Sequence, residues 1–261
     1  MSPAFSVQYG PWAVVAGASE GLGAAFAYAL AARGCHLLLL ARRADVLSTL
    51  AQALTAKHAI KVETLACDLA DASFDEKLTG ATRGIEVGLG VYNAAYAFAG
   101  PLLERPLEDA LRVVEVNCNG PLRFAHALVP AMMARKRGGL VLMSSLAGFQ
   151  GAPRIAAYAA SKAFNISLAE GLAAELRPHG VDVVVSCPGA IRTPNYAKAA
   201  TKEAPGTLDS DVVAEATLHA LGRGALVIPG AVNKLAAFFM GTLIPRSAAV
   251  AIMGKNTADL A

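Results

Sequence analysis

The sequence predicts an α/β fold: one domain over residues 1–261, with a doubly wound parallel sheet of about seven strands and helices on both faces. Three observations predict it. Short apolar runs alternate with helical segments, the pattern of repeated strand–helix–strand units. Hydrophobic residues make up 55% of the chain and charged residues only 16%, which suits a sheet buried on both faces. No internal repeat or low-complexity linker divides the chain, which is long enough for one large core.

Most of the predicted strands are short apolar runs, and the third is a more polar segment. In chain order the predicted strands are Trp12–Ala16, Cys35–Ala41, Lys61–Cys67, Val87–Asn93, Leu140–Ser144, Val181–Cys187 and Ala225–Ile228. The segments between them have helical composition. Gly34 marks a helix end, and Ser73 with Glu76 forms a capping box that marks a helix start. The predicted helices are Ala24–Arg33, Ala44–His58, a third that begins at Ser73, Pro106–Ala134, Ala156–Leu176 and Asp211–Leu221.

A glycine-rich turn joins the first strand to the first helix. The chain has 24 glycines, so the position of this turn, directly after a buried strand, is more informative than its spacing. Backbone N–H groups at the amino end of a helix bind phosphate, and glycine lets the backbone approach closely. The turn therefore predicts a site for the pyrophosphate of a dinucleotide. Its residues are Gly17, Ser19, Glu20, Gly21, Leu22 and Gly23.

The second strand is followed by two arginines, Arg42 and Arg43. A carboxylate near this position binds the ribose 2′-hydroxyl of NAD, whereas an arginine accommodates the 2′-phosphate of NADP. No acidic residue precedes Asp45, which we expect to begin the next helix. Because a guanidinium matches the geometry of phosphate, the sequence favours NADP(H) over NAD(H). The alternative is that both arginines only solvate a surface loop.

Tyr158 and Lys162 lie four residues apart in a predicted helix, and therefore on one helix face. A nearby ammonium favours the phenolate and moves the tyrosine pKa down from about 10, which suits proton transfer. A serine at the end of the preceding strand could hold a carbonyl oxygen for that phenol. The alternative is plain surface packing, but of the six tyrosines only Tyr158 has a lysine four residues on.

Several further motifs accompany these in a fixed order. The full set is Gly17-x-x-x-Gly21-x-Gly23, Asp68–Leu69, Asn93–Ala94, Asn117, Ser144–Ser145, Tyr158-x-x-x-Lys162, and Pro188–Gly189 with Thr193. From about Trp12 to Ile228 the chain resembles the classical short-chain dehydrogenase/reductase family. That family spaces its serine thirteen residues before the tyrosine, which selects Ser145 over Ser144. The segment beyond Pro229 resembles one branch of this family. That branch contains bacterial dehydrogenases of broad description and the long-chain ketoacyl and 17β-hydroxysteroid reductases.

The resemblance implies a Rossmann-like domain that transfers a hydride between a nicotinamide and a carbonyl or alcohol carbon. In reduction Tyr158 would protonate the nascent alkoxide, Ser145 would bind the substrate oxygen, and Lys162 would lower the tyrosine pKa and bind the nicotinamide ribose. Asn117 would hold the water that connects Lys162 to solvent. Asp68 would contact the adenine, and Thr193 with the backbone near Ile191 would hold the carboxamide. The remaining implied cofactor contacts are Leu69, Asn93, Ala94, Ala95, Pro188 and Gly189.

Two positions depart from the family pattern. Ala16 stands where a threonine usually precedes the first glycine, and Ala95 replaces a glycine after Asn93–Ala94. That glycine normally lets the backbone pass close to the cofactor. We expect the alanine to loosen cofactor binding without abolishing it.

Two segments could shape a substrate site. Residues 193–210 lack a clear period and follow a strand end, which favours a mobile substrate lid over an ordinary surface loop. Residues 231–254 form an apolar segment interrupted by Pro245–Arg246 and too short to span a bilayer. We rank a helix that closes the pocket first, an oligomer contact second, and a peripheral membrane anchor third because a basic face is missing.

Four aromatic side chains lie where pocket walls are expected, and they favour a fairly apolar ketone or secondary alcohol as substrate. The alternative is that they belong to the core. They are Tyr96, Phe98, Phe149 and Tyr196.

Composition excludes several other functions. The net charge of +3, without a dense basic run, gives no support for nucleic-acid binding. The four cysteines and five histidines show no pairing or ligand spacing, so we expect neither a disulfide framework nor a metal site. The first residues lack a secretory pattern, and we expect a cytoplasmic enzyme. The resemblance further implies a homodimer or homotetramer.

Two alternative functions stay open at this stage. A 3-oxoacyl thioester reductase would predict a basic patch near the pocket mouth for an acidic carrier, and no local run marks one. A cofactor-sensing regulator without catalysis would keep the nucleotide site but typically lose the tyrosine or the lysine.

Overall fold

The computed structural model describes residues 3–199 and 203–258 and confirms the predicted fold class. Its strands are β1 (Trp12–Ala16), β2 (His36–Ala41), β3 (Val62–Ala66), β4 (Val87–Tyr92), β5 (Gly138–Met143), β6 (Val181–Ser186), β7 (Ile191–Arg192), β8 (Leu208–Asp209) and β9 (Leu226–Val227). Seven of these strands form one parallel sheet in the order β3-β2-β1-β4-β5-β6-β9. The two remaining strands, β7 and β8, pair with each other.

Helices cover both faces of this sheet. They are α1 (Pro3–Tyr9), α2 (Gly21–Ala31), α3 (Ala44–Lys57), α4 (Phe74–Thr82), α5 (Leu107–Val114), α6 (Gly120–Arg135), α7 (Ala156–Leu176), α8 (Pro194–Ala199), α9 (Ser210–Ala220), α10 (Ala231–Phe238) and α11 (Arg246–Asn256). On one face Phe26 and Leu47 belong to an apolar cluster with α9, and on the other Phe124 and Ile166 belong to a second cluster. Because every residue of β1 and β4 is buried, these strands are apolar throughout.

The long helix predicted over Pro106–Ala134 is present over Leu107–Arg135, but it is not α-helical throughout. The helix is interrupted by a π-helical turn, Glu115–Asn119, between α5 and α6. Pro121 lacks an N–H group, and its ring crowds the carbonyl of the residue four positions earlier, which is Asn117. That carbonyl accepts a hydrogen bond from the Asn165 Nδ2 of α7 at 3.0 Å instead. The proline therefore turns the backbone of Asn117 toward α7.

An amino-terminal helix, α1, was not predicted because its seven residues carry no clear apolar period. This helix contacts β4 and β5. Its last residue, Tyr9, is buried and donates a hydrogen bond from its hydroxyl to Asp182 at 2.7 Å. This contact joins residues 173 positions apart, which local sequence does not reveal.

The predicted lid, residues 193–210, contains more regular structure than its sequence suggested. Thr193 caps α8, since its Oγ1 accepts the N–H of Tyr196 at 3.1 Å, and β8 returns the chain to β7. Residues 200–202 of the lid, and residues 1–2 and 259–261 of the predicted single domain, lie outside the described residues. The lid and the domain limits stay predictions.

The apolar tail forms α10, a π-helical turn at Phe239–Leu243, and α11. None of the helices in the described part of the chain combines the length and the hydropathy needed to cross a membrane.

Candidate active site

The predicted site residues converge on the carboxyl ends of the central strands. Strand order reverses between β1 and β4, and in open α/β sheets ligands bind in the crevice at such a reversal. The glycine turn follows β1, Asn93 follows β4, and Ser145 is the second residue after β5. Tyr158 on α7 reaches the same edge, where it interacts with Ser145.

The turn after β1 has no room for a side chain at two of its glycines. Gly17 has a φ of +79°, and a Cβ there would lie 2.7 Å from the Cα of Ala94. At Gly23 a Cβ would lie only 1.9 Å from the carbonyl oxygen of Gly17. The N-cap residue of α2, Glu20, makes no side-chain capping bond, so the first N–H groups of this helix remain available. This cradle fits a phosphate group.

Asn93 fixes the turn from the neighbouring strand. Its Nδ2 donates to the Gly17 carbonyl at 3.0 Å, and the backbone N–H groups of Asn93 and Ala94 both donate to the Ala16 carbonyl. Ala16 needs only its backbone for this role. Ala95 is exposed and does not have a positive φ, so the chain accepts a Cβ at this position.

The two arginines after β2 lie in different surroundings. Arg43 donates to Ser19 Oγ at 3.2 Å and pairs with Glu20 at 2.9 Å, and both partners belong to the glycine turn. Arg42 is exposed and lies within electrostatic range of Asp68. One guanidinium is thus already positioned at the edge of the phosphate cradle.

Asp68 and Leu69 occupy the predicted adenine side of the site. Partial burial opposes ionisation of Asp68, but the Ala70 N–H and the Arg112 guanidinium outweigh it and hold the pKa of the carboxyl below its usual range. Leu69 is buried in the core, which leaves only its backbone for a ligand. Arg112 was not predicted, because it lies 44 residues from Asp68 and no local spacing links them.

Lys162, Tyr158 and Ser145 come together beside this cradle. Lys162 is buried, its Nζ donates to the Met143 carbonyl at 2.9 Å, and it lies 5.4 Å from the centre of the Tyr158 ring. Tyr158 is partly buried, and its phenol is hydrogen-bonded by Ser145. Ser144 instead donates its hydroxyl to the Lys162 carbonyl at 2.7 Å. Of the two serines, Ser145 is the one next to the phenol.

The pKa of Tyr158 is shifted in the direction opposite to the one expected from the sequence. Burial raises the pKa of Tyr158 above its ordinary value, although the Ser145 hydrogen bond opposes this. Burial also lowers the pKa of Lys162 to about 8. The direction for Tyr158 is opposite to the expected lowering by the lysine because removal of the phenol from water, the largest contribution, penalises the charged phenolate.

Asn117 is fully buried, and its side chain is engaged by the protein. Its Oδ1 accepts the Tyr96 N–H at 2.8 Å, and its Nδ2 donates to the Tyr96 carbonyl and to Ser161 Oγ, both at 2.9 Å. Together with the bond from Asn165 to its carbonyl, this ties the loop after β4 to α7. Its expected role in holding a water stays a prediction.

The loop after β6 carries the residues expected at the carboxamide. The Pro188 carbonyl accepts the Leu146 N–H at 2.9 Å, and Ile191 is partly buried in β7. Thr193 lies over the glycine turn, since a Cβ on Gly21 would be 3.0 Å from its methyl carbon. A Cβ on Gly189 would lie 2.6 Å from the Oδ1 of Asn233.

Asn233 is a buried residue of α10 that sequence reasoning missed. Its Nδ2 donates to the Gly206 carbonyl at 3.1 Å and to the Pro229 carbonyl at 3.0 Å. Asn233 thereby joins the end of the lid, the strand-end loop at Gly189 and the tail. A single asparagine in an apolar run gives no sequence signal for such contacts.

The four aromatic residues separate into two groups. Tyr96 and Phe98 lie under the guanidinium groups of Arg112 and Arg105 at 5.5 and 5.3 Å, so they form part of a charged rim. Phe149 is partly buried against the core, and the hydroxyl of Tyr196 accepts the Ala204 N–H at 2.9 Å. Among the described residues, no cluster of histidine, cysteine, aspartate or glutamate could hold a metal ion.

Comparison with known proteins gives three clear similarities. The very-long-chain 3-oxoacyl-CoA reductase of Aspergillus fumigatus is 38% identical over 179 residues, which cover 67% of this chain and 52% of that protein. The chain thus spans about half the length of the curated relatives it matches. A 7β-hydroxysteroid dehydrogenase structure superposes with a TM-score of 0.90 at 26% identity, over 95% of this chain and 98% of that one.

A short-chain dehydrogenase from Sphingobium yanoikuyae, solved in complex with NADPH, superposes with a TM-score of 0.78 at 30% identity, over 84% of this chain and 87% of that one. The sequence profile of the short chain dehydrogenases matches residues 11–204, which is well over half of the chain. These similarities, and the motifs in their order around one crevice, show that the chain belongs to the short chain dehydrogenase family of oxidoreductases.

Proposed function

We propose that this protein is an NADPH-dependent reductase of apolar ketones, which also catalyses the reverse oxidation of secondary alcohols. One observation carries the proposal. The Tyr158 phenol interacts with the Ser145 hydroxyl and stacks near the Lys162 ammonium, at the edge of the sheet that holds the glycine cradle. An acid, an oxygen-binding group and a cation thus lie beside a dinucleotide site, as carbonyl reduction requires.

The residues present fit a dinucleotide. Gly17 and Gly23 leave no room for a Cβ, and the uncapped first turn of α2 offers N–H donors to a pyrophosphate. Arg43, beside Ser19, is the group for a 2′-phosphate, which supports NADP(H) over NAD(H). When bound, the nicotinamide supplies the hydride, and the neighbour in complex with NADPH agrees with this choice of cofactor.

Tyr158 is the proton donor in this proposal. Burial raises its pKa, so the phenol is protonated at neutral pH, which is the form needed to give a proton to a carbonyl oxygen that becomes an alkoxide. Ser145 can donate its hydroxyl proton to the same oxygen and hold it in place. Lys162 is the only cation within contact of the ring among the described residues, and its charge stabilises the phenolate that remains.

The substrate is proposed to be apolar because the proteins it resembles act on steroids and very long acyl chains, according to their names. The lid formed by residues 193–210 would close over it. This proposal is tested by NADPH oxidation with a panel of cyclic, steroidal and aliphatic ketones. Tyr158→Phe is expected to lower kcat by about 10² to 10⁴-fold without loss of NADPH binding.

A matched control is Tyr28→Phe, which removes the hydroxyl of a tyrosine on the outer face of α2. It should retain wild-type turnover. Unchanged turnover in Tyr158→Phe would refute the assignment of the acid. NADPH binding without turnover of any ketone in the wild type would instead favour a cofactor sensor.

A second candidate is a 3-oxoacyl thioester reductase, because the curated relatives carry that name. Arg105 and Arg112 lie at the loop after β4, but they already pair with Asp109 and Asp68. The acidic carrier of a thioester substrate would have to compete with these two carboxylates for the arginines. A long-chain 3-oxoacyl-CoA that is reduced faster than the matching free ketone would favour this candidate.

We also propose a cytoplasmic homodimer or homotetramer. An exposed apolar stripe on α5, formed by Leu107, Leu111 and Val114, supports self-association. Sedimentation velocity of the wild type and of Leu111→Arg tests it. A lower subunit number is expected in the variant, and a monomeric wild type would refute the proposal.

A further inference from the structure

Helix α10 and the turn that follows it expose their large apolar residues and bury a polar one. In α10 the buried residue is Asn233, whose amide is bound by two backbone carbonyls. Five large apolar side chains of α10 and of the turn Phe239–Leu243 are between 45% and 60% exposed. This is the reverse of an ordinary surface helix, which turns its apolar face to the core. The five are Val232, Leu235, Phe238, Phe239 and Leu243.

These side chains form one patch. Val232, Leu235 and Phe238 recur every three residues and so lie along one side of α10. The rings of Phe238 and Phe239 contact each other at 5.9 Å between centroids. Contiguous exposed apolar surface of this kind marks an interaction site, whereas single exposed apolar residues are ordinary.

Both ends of the patch are anchored to loops around the active site. Asn233 holds the start of the segment to Gly206 and Pro229. After the patch, the Thr257 hydroxyl donates to the Pro153 carbonyl at 2.8 Å, next to the turn that follows Ser145. Between these anchors, α10 and the turn Phe239–Leu243 project the five apolar side chains outward, whereas α11 packs Ala249 and Met253 against the protein.

The charge of the segment indicates what covers the patch. Residues 231–256 contain Lys234, Arg246 and Lys255 and no aspartate or glutamate. Two copies of an exclusively cationic segment would repel each other, whereas an anionic surface would attract it. Exposed Phe and Leu side chains flanked by basic residues are suited to the interface of an anionic bilayer.

We propose that α10 and the turn Phe239–Leu243 dock on the surface of anionic membranes, with Leu235, Phe238 and Leu243 inserted between the lipid headgroups. The sequence alone ranked this role third because a basic face is missing, and the structure adds that the large apolar side chains of α10 face outward. Docking would place the mouth of the site next to the lipid phase, where apolar substrates concentrate. The proposal does not depend on the proposed reaction.

The test is flotation of the purified full chain with vesicles, without cofactor or substrate. One set is phosphatidylcholine alone, and the other contains about one-third phosphatidylglycerol. The wild type is expected to bind the anionic set, and Leu235→Gln and Phe238→Gln should each lower binding about tenfold. Lys234→Glu should lower it about fivefold or more. Val7→Gln, at an equally exposed site on α1, should bind like the wild type.

Absence of binding to anionic vesicles, or equal binding to both sets, would overturn the proposal. So would a lower subunit number in Leu235→Gln without lipid, because the patch would then be a contact between copies. All these positions are exposed, so the variants are expected to fold, and thermal unfolding checks this.

Discussion

Replacing Lys162 by methionine should stabilise the folded protein while it removes activity. The side chain is 2% exposed, and burial lowers its pKa from the ordinary 10.5 to about 8. At about 1.36 kcal/mol per pKa unit, the folded state carries a penalty of about 3 kcal/mol for holding this charge at neutral pH. Methionine has a similar length and no charge.

The loss of one hydrogen bond reduces this gain in stability. The Met143 carbonyl loses the bond from Lys162 Nζ, which removes about 1 kcal/mol. We therefore expect Lys162→Met to raise the free energy of unfolding at pH 7 by about 2 kcal/mol. The reason for keeping the lysine would then be functional, since its charge stabilises the Tyr158 phenolate.

The pH dependence has a definite sign. Because the lysine pKa is lower in the folded state, the unfolded chain binds more protons between about pH 8 and 10.5, and wild-type stability rises with pH in that window. The advantage of Lys162→Met should thus be complete below pH 8 and shrink as the pH approaches 10.5. Urea unfolding of both proteins at pH 7 and at about pH 10 measures the difference in their free energy of unfolding at each pH.

A control is Lys57→Met, at an exposed lysine on α3, which should change stability by less than about 0.5 kcal/mol. The reasoning is refuted if Lys162→Met is less stable than the wild type at pH 7. It is also refuted if the difference between the two proteins is the same at both pH values.

Four further changes test the cradle and its support, and one of them is a control. Arg43→Ala should raise the KM for NADPH about tenfold to a hundredfold and leave that for NADH nearly unchanged, and an equal rise for both cofactors would exclude a 2′-phosphate contact. Gly23→Ala should destabilise the fold by more than about 2 kcal/mol in thermal unfolding, because its Cβ would lie 1.9 Å from a backbone oxygen. Gly171→Ala, in open space on α7, should stabilise by up to about 1 kcal/mol, and similar behaviour of the two variants would contradict the packing argument. Asn233→Ala should lower stability by about 2 kcal/mol through two lost hydrogen bonds, and unchanged urea unfolding would show that these bonds do not stabilise the fold.

Local patterns in the sequence predicted the sheet and the elements that carry the site. The central strands β1, β4 and β5 are fully buried because both faces of the sheet are covered, and the glycine turn is required by a positive φ at Gly17 and by the close approach at Gly23. Tyr158 and Lys162 are linked by helical spacing, which is a local property. These features depend on residues that are close in the chain.

Other features depend on contacts between distant residues and were missed. Arg112 meets Asp68 across 44 residues, and Asn233 meets Gly206 across 27. The direction of the Tyr158 pKa was also wrong, because it depends on burial, which spacing does not report. The outward apolar face of α10 could not be predicted from an apolar run that would equally suit a buried helix.

The central claim is that this crevice moves a hydride to a carbonyl carbon with Tyr158 as the acid. The most direct test uses NADPH with deuterium at both C4 positions, an apolar ketone and ordinary water, with the alcohol analysed by mass spectrometry and NMR. The wild type should place deuterium on the carbinol carbon, and Tyr158→Phe should form the labelled alcohol about 10² to 10⁴-fold more slowly. An alcohol without deuterium on that carbon, or equal labelled product from Tyr158→Phe, would contradict the claim.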